Sequence, residues 1–275
     1  MKLYSNNKIL DLSTPKIMGI LNFTPDSFSD SGKFFNLDRA LFQVEKMLSE
    51  GADIIDIGGE STRPNAEIVS EAEELQRVIP LVEAVNLRFG CWISVDTSKA
   101  QVMEEAAKVG MDLINDIRAL QEPNALQTAV KLNLPTCIMH MKGQPKTMQD
   151  DPKYHCVVEE VYDFLQNRTK ICLQAGMQKH NIIWDPGFGF GKNLQHNYQL
   201  LQQLNRFTQS DFPVLVGLSR KSMIGTILNK SVEQRVVGST AGALIALTLG
   251  ANIVRVHDVA ETADALKIWQ ATVSA

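Results

Sequence analysis

Gly51-Ala52-Asp53-Ile54-Ile55-Asp56-Ile57-Gly58-Gly59-Glu60-Ser61-Thr62-Arg63-Pro64 carries the pattern that decides the fold. A short apolar run, Ile54–Ile57, stops at glycines that lead into polar and charged side chains. Seven more runs behave alike. Ile17–Leu21 stops at Asn22, Trp92–Val95 at Asp96, Leu113–Ile114 at Asn115-Asp116 and Thr136–Met139 at His140. Ile182–Trp184 stops at Asp185, and Val214–Leu218 stops at Ser219-Arg220-Lys221. Ile253–Val256 carries Arg255 and stops at His257-Asp258. Between the runs lie segments long enough for one helix each. The alternation predicts parallel βα units, hence an α/β fold. Eight units predict a closed (β/α)8 TIM barrel, whose active site lies at the C-terminal strand ends. The polar stops all fall there.

The chain has 275 residues, the usual size of one such barrel, so residues 1–275 are expected to form a single domain. With 44% hydrophobic and 21% charged residues it has the composition of an ordinary globular protein. No apolar run reaches the length of a membrane span, and residues 1–8 lack the apolar stretch of a signal peptide. A net charge of −4 without a basic run argues against nucleic acid as a partner. Cys91, Cys137, Cys156 and Cys172 are scattered, with no C-x-x-C pair. They read as reduced structural thiols of a cytoplasmic protein, with a structural zinc site as the alternative.

Residues 1–12 read as a small β-hairpin turning at Asn6-Asn7, placed to plug the bottom of the barrel. Helices are expected over Leu37–Glu50, from Ser70 with an acidic first turn, from a Ser98 cap to near Gly110, over Val157–Ala175, over Val232–Leu249 and over about Ala260–Ala271. Residues 22–36 and 58–70 are longer connections rich in Asn, Ser, Thr, Pro and Gly. Long loops at a barrel mouth are usually functional lids; a tolerated surface insertion is the plainer reading.

Several strand-end residues suit particular chemistry, and each has a plainer structural role beside it. Asn22 offers an amide oxygen, a hard ligand suited to Mg²⁺, or it caps a loop. Gly58-Gly59 with Ser61, Thr62 and Arg63 suits an anion, because glycine lets backbone N–H groups approach and Arg matches phosphate. The alternative there is a strand-ending turn with a solvated Arg. In Asp185-Pro186-Gly187-Phe188-Gly189-Phe190-Gly191-Lys192 the glycine spacing is not that of a P-loop. Asp185 can accept two parallel N–H bonds from an amino-substituted ring, or cap its turn. Phe188 and Phe190 offer an aromatic wall, or core. Lys221 sits where barrels often hold an anion or polar ring, or it is solvated. Arg255 and His257, two apart in a strand, share one side and make a cationic pair. Asp96, Asn115, Asp185 and Lys221 together suit one flat heterocycle; Thr62, Arg63, Arg255 and His257 suit a phosphate.

The stretches Gly19–Asp30 and Gly51–Pro64 closely resemble the two signatures of the dihydropteroate synthase family. The likeness extends through Ser94–Lys99, Ile114–Ile117, Met139–Met141, Asp185–Lys192, Gly217–Ser222 and Arg255–Asp258, and so covers essentially the whole chain. Phe23 stands where the family would have a valine, which touches local loop packing only. The resemblance implies that 6-hydroxymethyl-7,8-dihydropterin diphosphate is joined to p-aminobenzoate, giving 7,8-dihydropteroate and diphosphate in folate biosynthesis. It implies a sulfonamide target, a transferase and a homodimer, with small molecules as its substrates.

By the same resemblance, Asp185, Asn115 and Lys221 hold the pterin, with Asp96 beside it. Met139, Ile117 and Phe190 line its pocket, and Arg255 stacks on the ring. Thr62, Arg63, Asn22 and His257 hold the diphosphate, with Mg²⁺ bridging its oxygens. Phe28, Pro64, Phe190, Ser219, Lys221 and Ser222 shape the p-aminobenzoate site. Asp96, Lys221, Arg255 and His257 are the expected catalytic groups of an SN1-like departure of diphosphate. The rivals are a pterin-binding methyltransferase barrel acting with a corrinoid protein and a non-catalytic pterin-binding subunit. An aldolase using Lys221 as a Schiff base is disfavoured because Lys221 lies beyond its strand. Small residues Gly238, Ser239, Ala241 and Gly242 on the Val236–Leu249 helix would let it pack against a second copy, or against the barrel.

Overall fold

The computed structural model describes residues 1–5, 7–23, 33–60, 69–144 and 147–274, with the side chains of 33–36 excepted. Strands β1 (Lys2–Ser5) and β2 (Lys8–Asp11) form an antiparallel pair. Then follow β3 (Lys16–Asn22), α1 (Lys33–Glu50), β4 (Ile54–Gly58), α2 (Glu71–Phe89), β5 (Trp92–Asp96) and α3 (Ala100–Lys108). The middle of the chain gives β6 (Leu113–Asp116), α4 (Ala125–Leu132), β7 (Thr136–Met139), α5 (Val157–Gln174), β8 (Ile182–Asp185), α6 (Leu194–Gln202) and α7 (Asn205–Thr208). It ends with β9 (Leu215–Val216), α8 (Ser222–Leu228), α9 (Val236–Thr248), β10 (Ile253–Val256) and α10 (Val259–Val273). Strands β3 to β10 form one parallel sheet in the order β8-β7-β6-β5-β4-β3-β10-β9. A parallel bridge between Trp184 and Val214 joins its two ends, so the sheet closes into the expected (β/α)8 barrel.

The seventh barrel strand is shorter than Val214–Leu218. The backbone N–H of Val214 donates to the Asn252 side chain at 2.9 Å, and only Leu215 and Val216 pair with β10. Strands β3, β4, β5, β6 and β8 run further than the apolar runs. Asn22, Asp96, Asn115-Asp116 and Asp185 still belong to their strands, so their side chains stand on rigid backbone.

Side chains two residues apart on a strand face the same way, and this period builds the barrel interior in tiers. Met18, Ile54, Trp92, Leu113, Cys137, Ile183, Leu215 and Ile253 form an apolar lower tier with Leu3, Leu10 and Leu12. The hairpin therefore seals the bottom. Asp112 fastens it there, accepting from Ser5 Oγ at 3.0 Å, Lys8 Nζ at 2.8 Å and the backbone N–H of Ile93 at 3.0 Å. Two residues further along come Asp56, Ser94, Asn115, Met139, Asp185 and Arg255. Two further still come Asn22, Asp96, Ile117, Ser219 and His257.

Helix α2 starts as the sequence predicts: Ser70 and Glu73 form a reciprocal capping box. Ser98 does not cap α3. Lys99 is the cap residue, and the Ser98 hydroxyl instead donates to the buried Asp116 carboxylate. The expected Val232–Leu249 helix is split into a turn of 3-10 helix over Val232–Gln234 and then α9. Arg235, at the break, donates to the Lys230 and Arg220 carbonyls. Gly238 and Gly242 of α9 face inward. A Cβ at Gly238 would lie 2.5 Å from Ile224, and one at Gly242 would lie 3.3 Å from Leu218. Both glycines therefore serve packing within the chain.

Candidate active site

The polar tiers meet in the upper half of the barrel. Asp56, fully buried on β4, is the residue that the sequence reading passed over. It accepts from Arg255 Nε at 2.6 Å, from Ser94 Oγ at 2.5 Å and from Asn115 Nδ2 at 3.3 Å. Its signal was present: a carboxylate set inside the apolar run Ile54-Ile55-Asp56-Ile57 must face a polar interior or find a cation.

Arg255 Nη2 reaches Asp96 Oδ2 at 2.9 Å, so one guanidinium bridges two carboxylates from neighbouring strands. Burial works against its charge, but Asp56 and Asp96 outweigh burial and hold it more firmly protonated. The expected cationic pair of Arg255 and His257 therefore changes character. Both face inward, but the Arg255 charge is already balanced one tier below His257. His257 Nδ1 lies 3.0 Å from Ser219 Oγ, which also accepts the His257 backbone N–H at 3.1 Å. Ser219 thus orients the imidazole.

Burial raises Asp96 to about 7; Arg255 opposes this, and Asp56 adds to it. Burial also raises Asp185, opposed by Lys221. Asp185 Oδ1 caps the following turn through the Gly187 N–H at 2.7 Å, so its plainer role is real for one oxygen. Lys221 is lowered to about 8 by burial, with Asp185 opposing. That is the property a Schiff-base lysine needs, but this ammonium donates to the Phe188 carbonyl and lies 4.7 Å over the Phe190 ring. Ile117, Met139 and Phe190 pack together with Met148 and form an apolar wall at the mouth. Phe188 is fully buried and belongs to the core. Ser222 is exposed on the first turn of α8.

The glycine-rich turn after β8 is shaped by Lys192, fully enclosed and bonded to the Gly187 and Phe190 carbonyls at 2.7 and 3.0 Å and to His140 Nδ1 at 2.9 Å. Gly187, at φ +70, leaves no space for a side chain: a Cβ would lie 1.9 Å from the His140 carbonyl oxygen. Burial and the Lys192 charge keep the His140 ring neutral, its value lowered to about 2.

Asn22 ends β3 at the mouth. A Cβ at Gly58 would lie 3.9 Å from Asn22 Oδ1 and 3.6 Å from the Asp96 Cβ, so the missing side chain keeps space open between them. Just beyond, Lys99 ties Glu60 (2.6 Å) to Glu74 of α2, anchoring the start of the second long loop. Phe28, Thr62, Arg63 and Pro64 lie outside the described residues, as does most of both long loops.

A recess with one apolar wall and carboxylate, amide and ammonium groups around it is suited to a flat, amino-substituted ring. The sequence profile of the family described as pterin binding enzyme matches residues 18–257. The dihydropteroate synthase of Haemophilus influenzae is 74% identical over 275 residues, which is 100% of both chains. The chain belongs to the dihydropteroate synthase family of pterin-binding enzymes. Among solved dihydropteroate synthases, that of Yersinia pestis with a sulfonamide drug complex superposes with a TM-score of 0.95 at 56% identity, covering 100% of each chain. The Xanthomonas albilineans dihydropteroate synthase in complex with 7,8-dihydropteroate gives a TM-score of 0.92 at 43% identity, also covering 100% of each chain.

Proposed function

We propose that the protein condenses 6-hydroxymethyl-7,8-dihydropterin diphosphate with p-aminobenzoate, yielding 7,8-dihydropteroate and diphosphate. The observation that carries this is full-length kinship to dihydropteroate synthases, with a barrel mouth whose donors and acceptors suit that ring. Asp185 Oδ2 and Asn115 accept ring N–H groups, Lys221 donates to a ring acceptor, and Ile117, Met139 and Phe190 enclose the ring's faces and edge. Arg255, held flat by two carboxylates, offers its face for stacking. His257, set by Ser219, faces the diphosphate together with Thr62 and Arg63. The p-aminobenzoate site is assigned to Phe28, Pro64, Phe190, Ser219, Lys221 and Ser222.

Asn22 fits Mg²⁺ by the hardness of its amide oxygen and its place at the open mouth. Among the described residues no group of three His, Cys, Asp or Glu is set to hold a metal, so the ion would be held mainly by diphosphate oxygens and water. When bound it neutralises charge on the leaving group.

The C–O bond between the pterin methylene and diphosphate breaks, and its electron pair leaves with the oxygen. The positive charge left on the methylene spreads into the ring, where ionised Asp96 stabilises it. The neutral amine of p-aminobenzoate attacks the methylene and releases its proton to solvent, so no strong base is needed. Binding is ordered, with the diphosphate substrate first; p-aminobenzoate binding equally well without diphosphate would overturn that order.

A homodimer is supported by apolar residues on the outer face of α9. Val237 and Ile245 are exposed, with Ala241 between them. A cytoplasmic site is supported by the scatter of Cys91, Cys137, Cys156 and Cys172 along the chain, with no C-x-x-C pair among them. The deciding experiment measures diphosphate release by purified protein with Mg²⁺ and the pterin diphosphate. Release that requires p-aminobenzoate and forms dihydropteroate is expected. Pterin binding without release, or methyl transfer with a corrinoid protein, would overturn the reading.

A further inference from the structure

We infer that Asp56 is a positioning residue that fixes which end of the Asn115 amide faces the ligand and holds Arg255 in place beneath it. The inference rests on the pterin-ring reading of this pocket and adds how its polarity is set.

An asparagine side chain ends in one acceptor and one double donor, and a ring N–H is recognised only if the oxygen faces it. Asn115 alone has no reason to choose. It stands opposite Asp96 in the β5–β6 register, and Asp56 stands opposite Ser94 in the β4–β5 register, so the two side chains meet inside the barrel. The Asp56 carboxylate takes donors on every side: Ser94 Oγ at 2.5 Å, Arg255 Nε at 2.6 Å, and Asn115 Nδ2, which is 3.3 Å from each of its oxygens. A carboxylate beside a guanidinium offers acceptors only. Asn115 must therefore spend its NH2 group on Asp56, which leaves Oδ1 for the ligand. Asp56 is fully buried and bonded to Asn115 and Arg255, so it acts through them rather than on the substrate.

Asp56→Asn breaks this logic without changing shape. The new amide can donate to Asn115 Oδ1, which turns the Asn115 NH2 toward the ring. The paired change Asp56→Asn with Asn115→Asp restores it. Position 115 then has only acceptors and receives a donor from the amide introduced at position 56. The oxygen of that amide, in the Oδ2 position, still accepts from Arg255, while its NH2, in the Oδ1 position, faces the Ser94 hydroxyl, which turns to accept. The net charge is also conserved.

The test compares steady-state kinetics and pterin diphosphate binding in wild type, the single variant and the swap, with thermal melts as a folding control. The single variant is expected to raise KM for the pterin diphosphate by about 10–100-fold, the scale of one buried polar group left without its partner. KM for p-aminobenzoate is expected to stay within about twofold, because Asp56 lies a tier below the mouth. The swap is expected to recover pterin KM to within about fivefold of wild type. A single variant with wild-type KM, or a folded swap no better than the single variant, would overturn the inference. If the single variant does not fold, the folded swap decides alone: tenfold weaker pterin binding overturns it. If neither folds, the Asn115 side-chain NH2 resonances of the wild type decide. They should barely move when pterin binds, and a large shift would mean that the nitrogen faces the ring. Wild-type protein without turnover would break the activity reading itself, whereas an indifferent Asp56→Asn in an active enzyme breaks only this inference.

Discussion

The lower end of the barrel and its mouth come from the same eight strands, only two to four residues apart, and carry opposite chemistry. At the bottom, Leu3, Leu10 and Leu12 of the hairpin close over a ring of apolar side chains, and removal of that surface from water stabilises the molecule. Above it, Asp56, Asp96, Asp185, Arg255 and Lys221 are crowded together, and desolvation works against the charges of Asp96, Asp185, Lys221 and Arg255. The lesson is a division of labour along each strand. The bottom supplies the stability that lets the mouth hold unfavourable charges in fixed positions.

The largest expected effect comes from Arg255→Ala. It removes the cation shared by Asp56 and Asp96, and we expect kcat/KM to fall by on the order of 10³-fold. Two buried carboxylates then lack a counter-charge, so stability should drop by about 3–5 kcal/mol and recover partly as acid protonates them. Diphosphate release and denaturant melts at two pH values measure both. Full activity in this variant would mean that the mouth does not depend on its central cation.

Leu3→Ala tests the other end. Leu3 is fully buried, and its truncation should cost about 2–5 kcal/mol in denaturant unfolding. Activity of the folded fraction at 25 °C should be unchanged. A loss of kcat would show that the two ends are coupled.

The two ends also differ in their response to pH. Asp96 is raised from 3.8 to about 7 in the folded protein. Its contribution to stability is therefore fully present below pH 3.8 and is lost as pH rises through about 7. Activity runs the opposite way if the ionised form stabilises the reacting ring: kcat/KM should fall about tenfold per pH unit below pH 7. Asp96→Asn should remove that limb of the profile and make the protein more stable than wild type above pH 7. A wild-type profile flat from pH 5.5 to 8 would exclude Asp96 ionisation as a requirement.

The smallest effect belongs to Ser5→Ala. It deletes one of three donors to Asp112 under the hairpin and leaves Lys8 and Ile93 in place, so a loss of about 1 kcal/mol without a change in kcat is expected. A larger loss would mean that the hairpin seal depends on this one contact.

Much of this was legible in the sequence because barrel strands announce themselves. The apolar runs locate all eight strands, and the polar stops at Asn22, Asp96, Asn115 and Asp185 fall at the mouth. The Ser70 cap and the hairpin were equally readable, since capping and turn preferences act over a few residues. The misreadings share a cause. Ser98 looked like a helix cap but bonds to Asp116, which is distant in sequence. Arg255 looked like a free cation but is held by two carboxylates from strands near the other end of the chain.

The period-two strands, their number and the side on which the reactive residues emerge follow from the order of residues alone. They depend on local backbone geometry and on burial of adjacent apolar residues. Which side chain pairs with which was settled by the folded barrel. It put Asp56 under Asn115, joined Arg255 to two acids, turned Ser219 toward His257 and moved Asp96 and Lys221 toward neutral pH. Those outcomes depend on distances between residues up to 199 positions apart and on desolvation inside the barrel, and neither exists until the barrel closes.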